Sequence, residues 1–116
     1  MENTVLEKFH QGRQSLGTFS AIGSPLAVES LRYTGLDYVI VATEHSPAGI
    51  ESAAAQIAAA QGAGLTALAR VNEISRTAVL RLLDVGAQGV VVPCVETVEE
   101  VRELVRYAKF APLGNR

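Results

Sequence analysis

Four short apolar runs, each followed by a stretch with helical spacing, predict an α/β fold built on a parallel sheet. Two observations carry that prediction. The run Tyr38-Val39-Ile40-Val41-Ala42 shows no polar alternation, which is how a strand buried on both faces reads, and parallel strands are buried that way. The runs also recur with a helix-length segment between them, so consecutive strands are joined by crossovers of fixed, right-handed sense. A third observation points at function: Glu44 and His45 follow the most apolar run directly. Ligands of parallel α/β folds bind at the carboxyl ends of strands.

Taken in order, Val5, Leu6 and Phe9 recur at helical spacing over Thr4 to Gln11, with Asn3 or Thr4 as N-cap, predicting a short leader helix. Gln14 to Phe19 is a weaker strand. Gly23-Ser24-Pro25 supplies a turn, an N-cap and a first-turn proline for a helix ending near Gly35. The strand 38–42 follows, and Ser46-Pro47 is expected to open the next helix. Ile50, Ala54, Ile57 and Ala58 mark one face of that alanine-rich helix, which Gly62 and Gly64 stop. Leu65 to Val71 is the third strand. Ser75 caps a helix whose Val79, Leu82 and Leu83 face inward, with Gly86 as its stop. Gly89 to Pro93 is the fourth strand. Thr97-Val98-Glu99-Glu100 fits a capping box, and Val98, Val101, Leu104 and Val105 follow at helical spacing. Lys109 to Arg116 reads as a loop.

The chain has 116 residues, 48% hydrophobic and 19% charged, with a formal net charge of −2. This describes a soluble globular chain with one core, and no linker or compositional break divides residues 1–116, so a single domain is expected. The near-neutral balance offers no basic patch for nucleic acid. No apolar run approaches the roughly 20 residues that cross a bilayer, and no basic-then-apolar leader opens the chain. The single cysteine, Cys94, allows neither an intrachain disulfide nor a cysteine zinc cluster, so a reducing cytoplasm is the default location.

Four βα units are half of an eightfold barrel, which takes about 250 residues. The rival is an open doubly wound sheet of the same strands. Helices on one face make the barrel and helices on both make the open sheet; periodicity alone leaves both open.

In either fold Phe19, Glu44-His45, Arg70 and Pro93-Cys94 end or follow successive strands and converge on one rim. A base beside a guanidinium suits an anionic oxo acid or an enolate. Arg grips a carboxylate bidentately and steadies an oxyanion, and His moves the proton. Plainer readings stand beside these. His45 is a loop residue, Arg70 serves a structural partner, Glu44 caps the next helix or lies in a metal's outer shell, and Cys94 is a small apolar filler. Gly62-Ala63-Gly64-Leu65-Thr66-Ala67 imitates a dinucleotide glycine pattern, but it follows a helix and enters a strand, the reverse of what that pattern needs. Asp84 falls in the last turn of its helix, where the macrodipole disfavours a carboxylate. That helix runs away from the rim, so Asp84 lies on the order of 15 to 20 Å from His45 of its own chain. If the two pair, they pair between chains.

Residues along nearly the whole chain carry a family likeness. They are Ser24-Pro25 with Glu29, Gly35-Leu36-Asp37-Tyr38, Glu44-His45, Arg70, Leu82-Leu83-Asp84-Val85-Gly86-Ala87, Val92-Pro93 and Pro112-Leu113-Gly114-Asn115-Arg116. In this order and spacing the chain resembles the HpcH/HpaI aldolases, metal-dependent class II enzymes acting on 4-hydroxy-2-oxo acids. The resemblance implies a (β/α)8 TIM barrel of which this chain covers the N-terminal half, the leader helix and four βα units. It implies a pyruvate enolate on a divalent metal (Mg, Mn or Co), an oxo acid and an aldehyde as substrates, and a homo-oligomer, usually a hexamer. By position, His45 is implied as the general base, Arg70 as the oxyanion stabiliser and Asp84 as the group that raises the basicity of the histidine. Phe19 takes a substrate-pocket position usually held by tryptophan. Two departures accompany it: Ala42 stands where the family pattern has an aspartate, and the Glu and Asp that ligate the metal come from later strands. No metal ligand is therefore expected in this chain beyond Glu44 in an outer shell. Three functions follow: a carbon–carbon lyase releasing pyruvate, a non-catalytic half-barrel that binds oxo-acid anions or assembles with a partner chain, and, ranked last, a citrate-lyase-like acyl-CoA enzyme.

Overall fold

In the computed structural model of the chain, which describes residues 2–42 and 49–116, the four βα units form as the periodicity predicts. The elements are α1 (Thr4–His10), β1 (Gly17–Ser20), α2 (Pro25–Ser30) with a 3-10 turn at Leu31–Tyr33, β2 (Tyr38–Ala42), α3 (Ile50–Gly62), β3 (Thr66–Arg70), α4 (Arg76–Asp84), β4 (Gly89–Val91) and α5 (Val98–Ala108). The caps fall where the polar residues sit. Side-chain oxygens of Asn3, Ser24, Ser75 and Thr97 accept amide hydrogen bonds at the starts of α1, α2, α4 and α5. Thr97 and Glu100 complete the capping box reciprocally.

The strands are parallel and lie in chain order, β1-β2-β3-β4. One face of the sheet holds Val39, Val41, Ala67 and Ala69, all fully buried under Val28 of α2, Ala53, Ile57 and Ala60 of α3, and Val79 and Leu82 of α4; Leu104 and Tyr107 of α5 join at the margin. The four helices that follow strands thus share one side, and α2 packs on α3 as α4 does on α5. A doubly wound sheet would split them between two faces. Consecutive strand order with helices on one side is the barrel arrangement, so the open sheet is excluded.

The opposite face is the inner wall of a partial barrel, and its register sets layers. Gly17, Tyr38 and Thr66 are level; next come Phe19, Ile40, Leu68 and Gly89; at the top are Ala42, Arg70 and Val91. Large side chains fill the space beside glycines: a Cβ on Gly17 would overlap the Tyr38 ring, and one on Gly89 would press on Leu68. α1 closes the bottom. The Thr4 amide and hydroxyl meet the Thr66 hydroxyl at 3.0 and 2.8 Å, and Lys8 pairs with Asp37 at 2.8 Å. The Gln88 side chain accepts from the Ala67 amide and donates to the Glu2 carbonyl.

Several predicted details move. β1 begins at Gly17 rather than Gln14, because the Leu16 amide and carbonyl are taken by the Asp37 side chain and amide instead of a ladder. α3 begins at Ile50 with Gly49 as N-cap at φ 59, and glycine permits this left-handed entry; Ser46-Pro47, expected to open a helix, lies outside the described residues. The covered face of α3 is Ala53, Gln56, Ile57 and Ala60, not the face of Ala54 and Ala58. On α5, Val98, Val101 and Val105 are exposed, since Leu104 and Tyr107 make the inward contacts. β4 ends at Val91, so Cys94 leaves the sheet exposed at φ 58 and is no buried filler.

Candidate functional site

The rim formed by the carboxyl ends of the strands gathers two of the predicted site residues on one hollow. Arg70 is the last residue of β3, level with Ala42 on one side and Val91 on the other, all on the inner face. Phe19 stands one layer lower on β1, level with Ile40 and Leu68. Two strand spacings and two residues of rise put their α-carbons roughly 10–12 Å apart. That gap suits a small acid held by a guanidinium at one end and a ring at the other. Phe19 is 57% exposed.

On β2 the register partner of Arg70 is Ala42, at the position where the resemblance implies an aspartate. His45 and Glu44 lie outside the described residues. Among the described residues, no cluster of three or more His, Cys, Asp or Glu side chains is placed to hold a metal.

Asp84 lies apart from this hollow. It ends α4, whose nine residues run from the rim toward the bottom of the sheet. Arg116 reaches it at 3.2 Å, with the guanidinium carbon 4.5 Å from the Phe110 ring centroid, and at the first residue of α4 Arg76 Nε donates to the Asn115 carbonyl. The cation relieves the repulsion between this carboxylate and the helix carbonyl end. Asp84 stays half exposed on the outer surface.

A cleft of about 180 Å³ opens between the starts of α3 and α4, lined by Gly49, Ile50, Asn72, Glu73, Ala78 and Arg81. It lies on the helix side of the sheet, with Val71 and Leu82 at its floor, and shares no residue with the hollow under Arg70.

Sequence reasoning missed Gln56. It is 1% exposed on α3, its Oε1 accepts from the Ser20 hydroxyl at 3.0 Å, and its Nε2 donates to the Ser52 carbonyl and hydroxyl. The signal was present, because Ala53, Gln56, Ile57 and Ala60 form an i, i+3, i+4, i+7 face. Asp37 was noted as part of a motif, not as the anchor of the bottom.

The HpcH/HpaI aldolase/citrate lyase family model matches residues 15–116. The chain belongs to the HpcH/HpaI family. Similar family proteins include the hydroxypyruvate/pyruvate aldolase of Roseovarius nubinhibens, 32% identical over 98% of this chain and 44% of that protein. The 4-hydroxy-2-oxo-heptane-1,7-dioate aldolase of Escherichia coli is 29% identical over 100% of this chain and 44% of its own. Among solved structures, an HpcH/HpaI aldolase from Desulfitobacterium hafniense superposes with a TM-score of 0.88 at 36% identity, covering 97% of this chain and 44% of that one. The citrate synthase SbnG gives 0.86 at 32%, covering 95% and 45%. This HpcH/HpaI chain therefore spans less than half the length of the relatives it matches, and its sheet is a partial α/β barrel.

Proposed function

We propose that the protein is the N-terminal half of a divalent-metal-dependent class II pyruvate aldolase, residues 1–116 being one domain of it. The reaction is retro-aldol cleavage of a 4-hydroxy-2-oxo acid to pyruvate and an aldehyde, with the reverse condensation. In this reading His45 takes the proton of the 4-hydroxyl and the C3–C4 bond breaks. Its electron pair passes into the enolate of pyruvate, and Arg70 stabilises the enolate oxygen. The enolate carbon then takes a proton to give pyruvate. Asp84 of a neighbouring copy raises the basicity of His45, and Phe19 lines the pocket. The metal, Mg, Mn or Co, is held by carboxylates of the segment that completes the barrel, and when bound it supplies Lewis acidity toward the oxo acid.

The observation that carries this reading is Arg70 at a strand tip on the inner face, in the same hollow as Phe19, in a chain of an aldolase family. The test is pyruvate release from 4-hydroxy-2-oxo acids by the protein with its barrel complete, titrated with Mg, Mn and Co. Loss of about 10²-fold or more in kcat is expected for His45→Ala and for Arg70→Ala, with Arg70→Lys intermediate because lysine cannot grip bidentately. Full turnover in chelator, or in His45→Ala, would remove the proposal.

One observation favours a second reading, a half-barrel that binds oxo-acid anions without turning them over. Ala42, the register partner of Arg70, stands where the resemblance implies an aspartate. Pyruvate binding without turnover in any of the three metals, abolished by Arg70→Ala, would select it.

A further inference from the structure

Packing alone does not explain Gln56. The face of α3 that meets the sheet is otherwise Ala53, Ile57 and Ala60, all buried, and it lies over Val39 and Val41. A leucine or methionine would fill the same space. Instead a carboxamide is buried there with both ends engaged, Oε1 by Ser20 and Nε2 twice by Ser52. The two bonds to Ser52 fix the rotation of the amide, and the remaining oxygen then fixes Ser20 at one distance and direction, which a dispersion contact cannot do.

Ser20 is the last residue of β1, adjoining Phe19, and among the described residues β1 is a sheet edge that pairs only with β2. Alternation turns Ser20 toward the helices and Phe19 toward the hollow. A strand tip with one neighbour has little else to hold its height. We infer that Gln56 is a positioning residue: through Ser20 it sets where the tip of β1, and with it the Phe19 ring, stands over the inner hollow. This rests on the substrate-pocket reading of Phe19 given above. Misplacing a pocket wall by an ångström is enough to change how a small substrate sits.

The experiment compares Gln56→Met, Ser20→Ala and the pair in the enzyme with its barrel complete, each also in a Phe19→Ala background. With the ring present, each single variant is expected to raise KM for the oxo acid about five- to tenfold with kcat within twofold, and the pair no more than either alone. In the Phe19→Ala background the same changes leave KM unmoved. A purely structural role gives a lowered unfolding midpoint with KM unchanged, or a KM effect of the same size with and without the ring, and either result overturns the inference. If Gln56→Met does not fold, Ser20→Ala is read by the same criteria. If the parent enzyme releases no pyruvate, the functional proposal fails by itself. Amide hydrogen exchange at residues 19–22 then decides this one: acceleration confined to those amides in the folded variants supports it, and no change sinks it.

Discussion

At the scale of single residues, Asp37 does more for the fold than its place before a strand suggests. Its carboxylate takes the Lys8 ammonium at 2.8 Å and the Leu16 amide at 3.0 Å, with only 13% of the side chain exposed. The hydrogen bond from Lys8, then that from Leu16, holds its carboxyl below the usual carboxylate range, against the smaller opposing effect of burial. A carboxyl lowered on folding contributes stability that is whole above its unfolded pKa, near 4, and is lost as pH falls through the lowered value. Asp37→Asn is therefore expected to cost about 1–2 kcal/mol at pH 7. The gap to the parent should close below pH 4. Thermal unfolding followed at pH 7 and pH 2 checks it; an equal gap at both would show that the charge is not what matters. The place of Arg70 at a strand tip was legible at this scale because it closes an apolar run, and Phe19 falls one residue before the end of β1. Gln56 was hidden because alanines on every side of α3 blur which face is inward, and a lone polar residue then reads as solvent-facing.

Among the elements, fit decides more than propensity. The Tyr38 ring occupies the space where Gly17 lacks a side chain, so Gly17→Ala forces the ring or the strand to move. A loss of about 1–3 kcal/mol is expected from such overpacking. Gly62 is the control: it ends α3 with nothing within 4 Å of an added Cβ, so alanine there is neutral or stabilising by up to about 1 kcal/mol. Urea unfolding of the two variants checks the pair, and equal effects would mean that the ring yields freely. The caps Ser75 and Thr97 and the stop Gly86 were readable to within a residue, since they act through local geometry. What sequence could not assign was which valines of α5 would be covered. Val98, Val101 and Val105 recur at helical spacing, yet the neighbours that decide burial come from other parts of the chain.

For the molecule as a whole, the inner wall and both flanks are open. Phe19 on the wall, Leu26 and Tyr33 on the α2 side, and the α5 valines on the other are all exposed. Apolar side chains exposed on these three sides favour association with apolar partners, and among the described residues β1 and β4 each pair on one side. The 116-residue chain by itself is expected to enhance the fluorescence of a hydrophobic dye and to scatter more light per mass as concentration rises. A dye-silent monomer across that range would contradict an open wall. The choice between barrel and open sheet also belongs to this scale. It depended on which side each crossover takes, and the same helical periodicity serves either side.

The stitching of α1 to Thr66 and Gln88 bears on the order of assembly during synthesis. Each strand pairs with the one made just before it, so the sheet can grow from the ribosome one βα unit at a time. The leader, though made first, can reach only Asp37 until β3 and the turn into β4 supply Thr66 and Gln88. Its docking is completed late, so a mutation at Thr4 is expected to speed unfolding rather than slow folding.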